Sequence, residues 1–174
     1  MHHAPWIFVV AVCLFTQCAP HTFAQPPMTT IYVVRHAEKL DPADPDTPLS
    51  PEGEARARDL ASTLARAGVQ RIYATTRLRT QQTVAPLAQQ RNLVPVILEP
   101  AATEELVARI KADDRGMVVV VAGHNNTVPV IVQGLSGVVV DGIPEDRFDR
   151  LFKVTIAPDG KTTMEELRYG VPTP

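Results

Sequence analysis

The stretch Met117–Asn126, MVVVVAGHNN, runs six apolar residues straight into Gly-His-Asn-Asn. An apolar run this short, made of β-branched residues and closed by glycine, reads as a strand rather than a helix. With no polar face to give to water, it belongs at the centre of a sheet covered on both sides, the condition of parallel sheets. Its exit is polar, and it begins with a histidine. Ile31-Tyr32-Val33-Val34 repeats the pattern and exits into Arg35-His36-Ala37-Glu38-Lys39.

Helical patterns separate the apolar runs. Ser50-Pro51-Glu52 supplies an N-cap, a proline at the first helical position and an early acid, and the spacing predicts a helix from there to a stop at Gly68. Ala57, Leu60, Ala61 and Leu64 form its apolar stripe. Further strands are expected at Arg71–Ala74, Leu93–Leu98, Phe152–Ile156 and Thr163–Leu167, the last two joined by a turn at Pro158-Asp159-Gly160. Helices are expected over Arg77–Gln90, over Thr103–Ala112 with Thr103 as cap, and over Asn126–Leu135. This alternation predicts an α/β fold, a three-layer sandwich with a mostly parallel central sheet.

The chain has 174 residues, 45% of them hydrophobic and 21% charged, with a formal net charge of -2. That length suits one domain with a real core, and that charge balance gives no reason to expect nucleic acid as a partner. Residues 1–24 contain no Asp, Glu, Lys or Arg, and their apolar stretch from Trp6 to Phe15 has the length of a signal h-region, short of a bilayer span. The expectation is a signal peptide over 1–24, a short linker over 25–30 and one domain over 31–170. The mature protein would be periplasmic or secreted, with no stable membrane span once the leader is cleaved. Both cysteines, Cys13 and Cys18, fall in the leader. Thiol catalysis, disulfides and cysteine metal sites are thereby excluded from the mature chain. Attachment of a lipid at Cys18 is the lesser alternative, since Gln17 before it is bulky for such a site.

Only His36 and His124 remain after the leader. In open α/β sheets ligands bind at the carboxyl ends of the strands. If the two strands are parallel neighbours, both histidines reach one edge, and Thr75–Thr83 (TTRLRTQQT) brings Arg79 there at the start of a helix. Guanidinium forks and helix N-termini make such an edge an anion site. No Walker-type glycine loop is present. Asp41, Asp44 and Asp46 alternate with prolines and read as turn formers, so neither metal nor cofactor is expected.

The strand-Arg-His opening, Arg79-Thr80-Gln81-Gln82-Thr83 and Gly123-His124-Asn125-Asn126-Thr127-Val128-Pro129 resemble the histidine phosphatase superfamily, with its phosphoglycerate mutase-like fold. The resemblance runs from about Ile31 to Tyr169. It implies that His36 is a nucleophile forming phosphohistidine, with Arg35, Arg79 and His124 clamping the phosphoryl group and Asn125 adding a hydrogen bond. Ala37 departs from the family's usual glycine and is acceptable where φ stays negative. The family also uses a carboxylic acid to protonate the leaving group. Glu104 is the first choice and Glu105 the second, although first-turn acids of a helix explain both equally well.

The expected function is metal-independent hydrolysis of a small phosphomonoester, with a cell-envelope sugar phosphate the first substrate class to consider. The alternatives are a phospho-ligand binding protein with little or no turnover and a phosphohistidine-protein phosphatase. A metal-dependent hydrolase is the third, and a mutase is disfavoured by the short chain. Arg77, Glu38 and Lys39 read as solvated charges, and oligomeric state is not legible.

Overall fold

The computed structural model describes residues 27–174, so the expected leader lies outside the described residues. Six strands form one sheet: β1 Thr29–Arg35, β2 Arg71–Thr75, β3 Val96–Leu98, β4 Val118–Gly123, β5 Arg150–Ile156 and β6 Thr162–Arg168. Four helices join them: α1 Pro51–Thr63, α2 Leu78–Arg91, α3 Thr103–Asp113 and α4 Thr127–Ser136. The strand order is β3-β2-β4-β1-β5-β6. The first four run parallel, while β5 and β6 add an antiparallel hairpin at one edge.

The valine run is β4, and it sits between β2 and β1 as its composition demands. Side chains alternate across a strand, so the sheet carries two cores. Val119 and Val121 join Ile31, Val33 and Phe152 against α3 and α4 through Ile110, Val128, Ile131 and Leu135. Val120 and Ala122 join Val34, Ile72 and Leu151 against α1 and α2 through Leu60, Leu64, Val84 and Leu87. Helices on both faces around a mostly parallel sheet make the three-layer α/β sandwich.

Several element ends differ from the sequence expectation for local reasons. α1 stops at Thr63 because the Leu64 N–H makes the last bond four residues back, to Leu60 O, after which Ala65 and Ala67 N–H bond only three residues back, to Ser62 O and Leu64 O, in tight turns before Gly68 at φ 74°. β3 begins only at Val96. Asn92 takes the left-handed conformation at φ 52° and Leu93 N–H donates to Ala88 O, so residues 92 and 93 complete the end of α2. Thr103 does not cap α3; it is the first helical residue, and Ala102 precedes it without a side-chain cap. Ser50 does cap α1, its hydroxyl accepting from Gly53 N–H at 3.2 Å.

Glu38 is not a solvated charge. Its carboxylate accepts from Nε of buried Arg56 at 2.8 and 2.9 Å, while the same guanidinium donates to Tyr169 O and Val171 O. This network ties α1 to the segment after β1 and to the tail beyond β6. Gly53 lets α1 lie that close, because a Cβ there would press on the Glu38 carbonyl oxygen.

Candidate active site

The β1–β4 pairing puts Arg35 opposite Gly123, so His36 and His124 leave adjacent strand ends in the same direction. The His36 N–H donates to Gly123 O at 2.9 Å, and the two imidazole centroids stand 5.5 Å apart. Gly123 is needed at this point. A Cβ would lie 2.9 Å from the Thr127 hydroxyl, which instead accepts from His124 N–H and joins the start of α4 to the site.

His36 is 3% exposed, and its Nδ1 lies 2.8 Å from Ala37 O. A carbonyl only accepts, so Nδ1 carries the proton and Nε2 keeps its lone pair. Burial, reinforced by the Arg35, Arg79 and His124 charges, depresses the imidazole to about 3, although the bond to Ala37 opposes the shift. Ala37 is buried without positive φ, and its N–H donates to Thr83 Oγ1 at 2.9 Å. Alanine therefore satisfies the condition set for it.

His124 faces Arg79 Nη2 with Nδ1 at 3.4 Å and Thr75 Oγ1 with Nε2 at 3.1 Å. A guanidinium only donates, so Nδ1 is the acceptor and Nε2 carries the proton. Thr75, Thr80 and the Arg77 carbonyl continue the chain at 2.9 and 2.8 Å. His124 is depressed to about 4 by burial first and then by Arg79, Arg77 and Arg35.

These two shifts have a consequence for stability. Unfolded, both imidazoles titrate near 6.5; folded, they hold off protonation until about 3 and about 4. Between those limits the unfolded chain binds more protons, so stability rises with pH across the window and is lost as pH falls below about 6.5. Urea midpoints measured at about pH 7 and pH 5 are expected to drop on acidification, and His36→Asn is expected to drop less. Equal drops would contradict the assignment.

Arg35 is 2% exposed and stacks on Phe148 with its carbon 4.3 Å from the ring centroid. Its Nη1 donates to Pro144 O and Arg147 O at 2.7 and 3.1 Å, and its Nη2 to Glu145 Oε2 at 2.8 Å. Arg79 Nη1 donates to Pro45 O at 2.6 Å. In both arginines Nε is buried with no hydrogen-bond partner among the described residues. Burial lowers both guanidinium pKa values; for Arg79 the Arg77 charge adds to the effect.

The aspartates of the 41–48 loop act in turns, as expected. Asp41 and Asp44 each accept from a backbone N–H two residues on, and Asp46 accepts from Leu78 N–H to cap α2. The remaining residues of the TTRLRTQQT stretch hold the scaffold. Gln82 Oε1 accepts from Leu49 N–H, and Gln81 Nε2 donates to Thr75 O and Thr76 O.

The resulting cleft has a volume of about 390 Å³ and is walled by His36, His124, Arg79 and Asn125. Lys39 and Arg77, read from sequence as solvated charges, also line it. Glu104 does not. It is exposed on the first turn of α3, where Glu105 pairs with Arg109 at 3.3 Å, so the structure gives both the helix-turn role and does not bring either to the cleft. The carboxylate in the wall is Glu145, which accepts from Asn125 Nδ2 at 2.8 Å with its second oxygen. No sequence signal singled it out, because residues 137–149 between α4 and β5 have no periodicity and Glu145 sits among other loop charges.

The α/β sandwich thus gathers two imidazoles, the buried Arg35 and the partly buried Arg79 at the carboxyl edge of its parallel strands, a set of groups suited to holding a phosphoryl group. Residues 31–105 match the family described as Histidine phosphatase superfamily (branch 1). It is 32% identical over 110 residues to the 8-oxo-(d)GTP phosphatase of Mycolicibacterium smegmatis, covering 60% of this chain. That match spans only 34% of the relative's length. The fold is also that of the protein histidine phosphatase SixA complexed with tungstate, with TM-score 0.64, 21% identity and coverage of 80% of this chain and 96% of that one. The mycobacterial glucosyl-3-phosphoglycerate phosphatase is similar as well, at TM-score 0.62 and 14% identity, covering 83% of this chain and all (100%) of that one.

Proposed function

We propose that the protein is an exported, metal-independent phosphomonoesterase that forms a phosphohistidine at Nε2 of His36. The observation that carries this reading is the pair of buried, unpartnered guanidinium Nε–H groups of Arg35 and Arg79 beside a neutral imidazole. A buried donor without an acceptor costs ~1–3 kcal/mol, and a phosphoryl group supplies acceptors to both. A transferring phosphoryl spreads its charge over equatorial oxygens, so donors fixed before the reaction lower the barrier without reorganising.

Each residue then has a defined task. Ala37 O holds His36 Nδ1–H and so aims Nε2, which attacks phosphorus. Arg35, Arg79 and Asn125 bind the oxygens. His124 keeps Arg79 in line through Nδ1, and the Thr75–Thr80 hydroxyl chain behind it fixes that tautomer. The completed transfer leaves phosphate on His36, and water then releases it.

Metal independence is proposed on the chemistry of the cleft, whose guanidinium and amide N–H donors can bind phosphoryl oxygens directly. Export is supported by the charge-free, apolar residues 1–24. No helix among the described residues is long and apolar enough to cross a membrane. A small ester, with cell-envelope sugar phosphates first in line, fits the cationic cleft. A phosphohistidine side chain of another protein is the second reading, favoured by the open cleft that no inserted subdomain among the described residues covers.

Hydrolysis of p-nitrophenyl phosphate in the presence of EDTA tests the proposal, followed by sugar phosphates and a histidine-phosphorylated protein side by side. Turnover that survives EDTA is expected. Loss of turnover on chelation overturns metal independence, and binding of phosphate without turnover of any substrate points to a phospho-ligand binding protein instead.

A further inference from the structure

We propose that Glu145 is the acid of this site, protonating the leaving oxygen as the phosphoryl group passes to His36. The inference rests on the phosphatase reading above. It starts from direction. His36 lies on the buried floor, so an in-line attack from Nε2 points the leaving oxygen towards the open mouth of the cleft. A proton donor for that oxygen must reach in from the rim. Glu145 does so: its side chain is 73% exposed, yet its carboxylate touches Arg35, which is 2% exposed.

The contacts place it against the phosphate cradle itself. Its two oxygens accept from Arg35 Nη2 and Asn125 Nδ2, each at 2.8 Å, and both donors are ones the phosphoryl oxygens require. Among the residues lining the cleft it is the carboxylate, the others being histidines, cations, amides and small side chains. Its backbone is held by the same guanidinium, because Arg35 Nη1 bonds the carbonyls of Pro144 and Arg147 on either side.

Substrate therefore changes what surrounds Glu145. When a phosphoryl dianion takes Arg35 and Asn125, the carboxylate loses both donors and gains a negative neighbour. A like charge that close favours the neutral acid. In the forward step the Nε2 lone pair of His36 forms the N–P bond, the P–O ester bond breaks, and the Glu145 proton goes to the ester oxygen, releasing a neutral alcohol. In the return step water attacks phosphorus and gives its proton back to the Glu145 carboxylate. The N–P bond breaks and inorganic phosphate leaves.

The test compares the full chain with its Glu145→Gln and Glu104→Gln variants on p-nitrophenyl phosphate, whose leaving group needs little help, and on a simple alkyl phosphate. The readout is kcat/KM, which reports the step that expels the alcohol. Glu145→Gln is expected to cut alkyl phosphate turnover ~100-fold or more, in the range of general acid catalysis, and at least tenfold more than p-nitrophenyl phosphate turnover. Its alkyl phosphate profile should also lose the decline at high pH. Glu104→Gln should follow wild type on both substrates. Equal losses on the two substrates, no loss, or tighter inhibition by inorganic phosphate with unchanged leaving-group dependence would each overturn the proposal. Glu145→Gln keeps the Arg35 bonds to Pro144 O and Arg147 O, and its thermal midpoint is measured beside wild type so that a loosened loop is not read as a lost acid. Wild type that is inert towards both substrates would instead overturn the phosphatase reading, and the assignment of Glu145 with it.

Discussion

His36→Ala is expected to abolish turnover of p-nitrophenyl phosphate, with a loss of ~10⁴-fold or more in kcat, while the fold survives. Removing a nucleophile that acts together with its clamp costs nearly the whole chemical step, since the cradle alone binds the phosphoryl group without transferring it. The variant should therefore still bind phosphate, and it should not incorporate label from a radioactive substrate. The side chain fills buried space beside Phe148 and His124, but its removal leaves the His36 N–H to Gly123 O bond in place, so β1 and β4 stay registered. Substantial turnover by the alanine variant would remove His36 from the nucleophile's role.

Arg35→Lys is expected to cost ~10²–10³-fold in kcat/KM even though the charge is kept. One lost preorganised donor at a site of developing charge is worth that much, and an ammonium has no fork with which to hold two oxygens at once. The structure adds a second cost that an exposed arginine would not carry. Nη1 joins Pro144 O to Arg147 O, and Nη2 holds Glu145, so the lysine variant also loosens the 137–149 connection. The predicted signature is a fall in thermal midpoint together with faster proteolysis within residues 137–149, neither of which Arg77→Lys should show. An Arg35→Lys enzyme with near-normal kcat/KM would mean that the guanidinium serves the loop and not the substrate.

The legible parts of this site are those that strand ends dictate. Arg35, His36 and His124 follow apolar runs directly, and a parallel sheet turns equal positions in two strands into neighbours in space. Arg79 was legible because one helix start follows one strand end. Glu145 lies in a connection with neither period nor cap, and its place is decided by a guanidinium more than a hundred residues earlier in the chain. Lys39 and Arg77 look like solvated charges for a similar reason: the chain around them shows their charge and not which cleft that charge faces. Glu104 misled in the opposite direction. It follows a strand end, as the other site residues do, but the first turn of α3 is explanation enough for an acid there.

The sequence by itself determined the layered α/β architecture, because a wholly apolar β-branched strand has one place to go. It also determined the pair of histidines, because alternation and strand polarity carry them to one edge. Only the tertiary structure decided the protonation pattern and the carboxylate. His36 is neutral with a free Nε2 because burial and a carbonyl one residue away make it so, and Glu145 enters the cleft because Arg35 has spare N–H groups that a distant loop fills. Those are contacts between parts of the chain whose local patterns carry no record of each other.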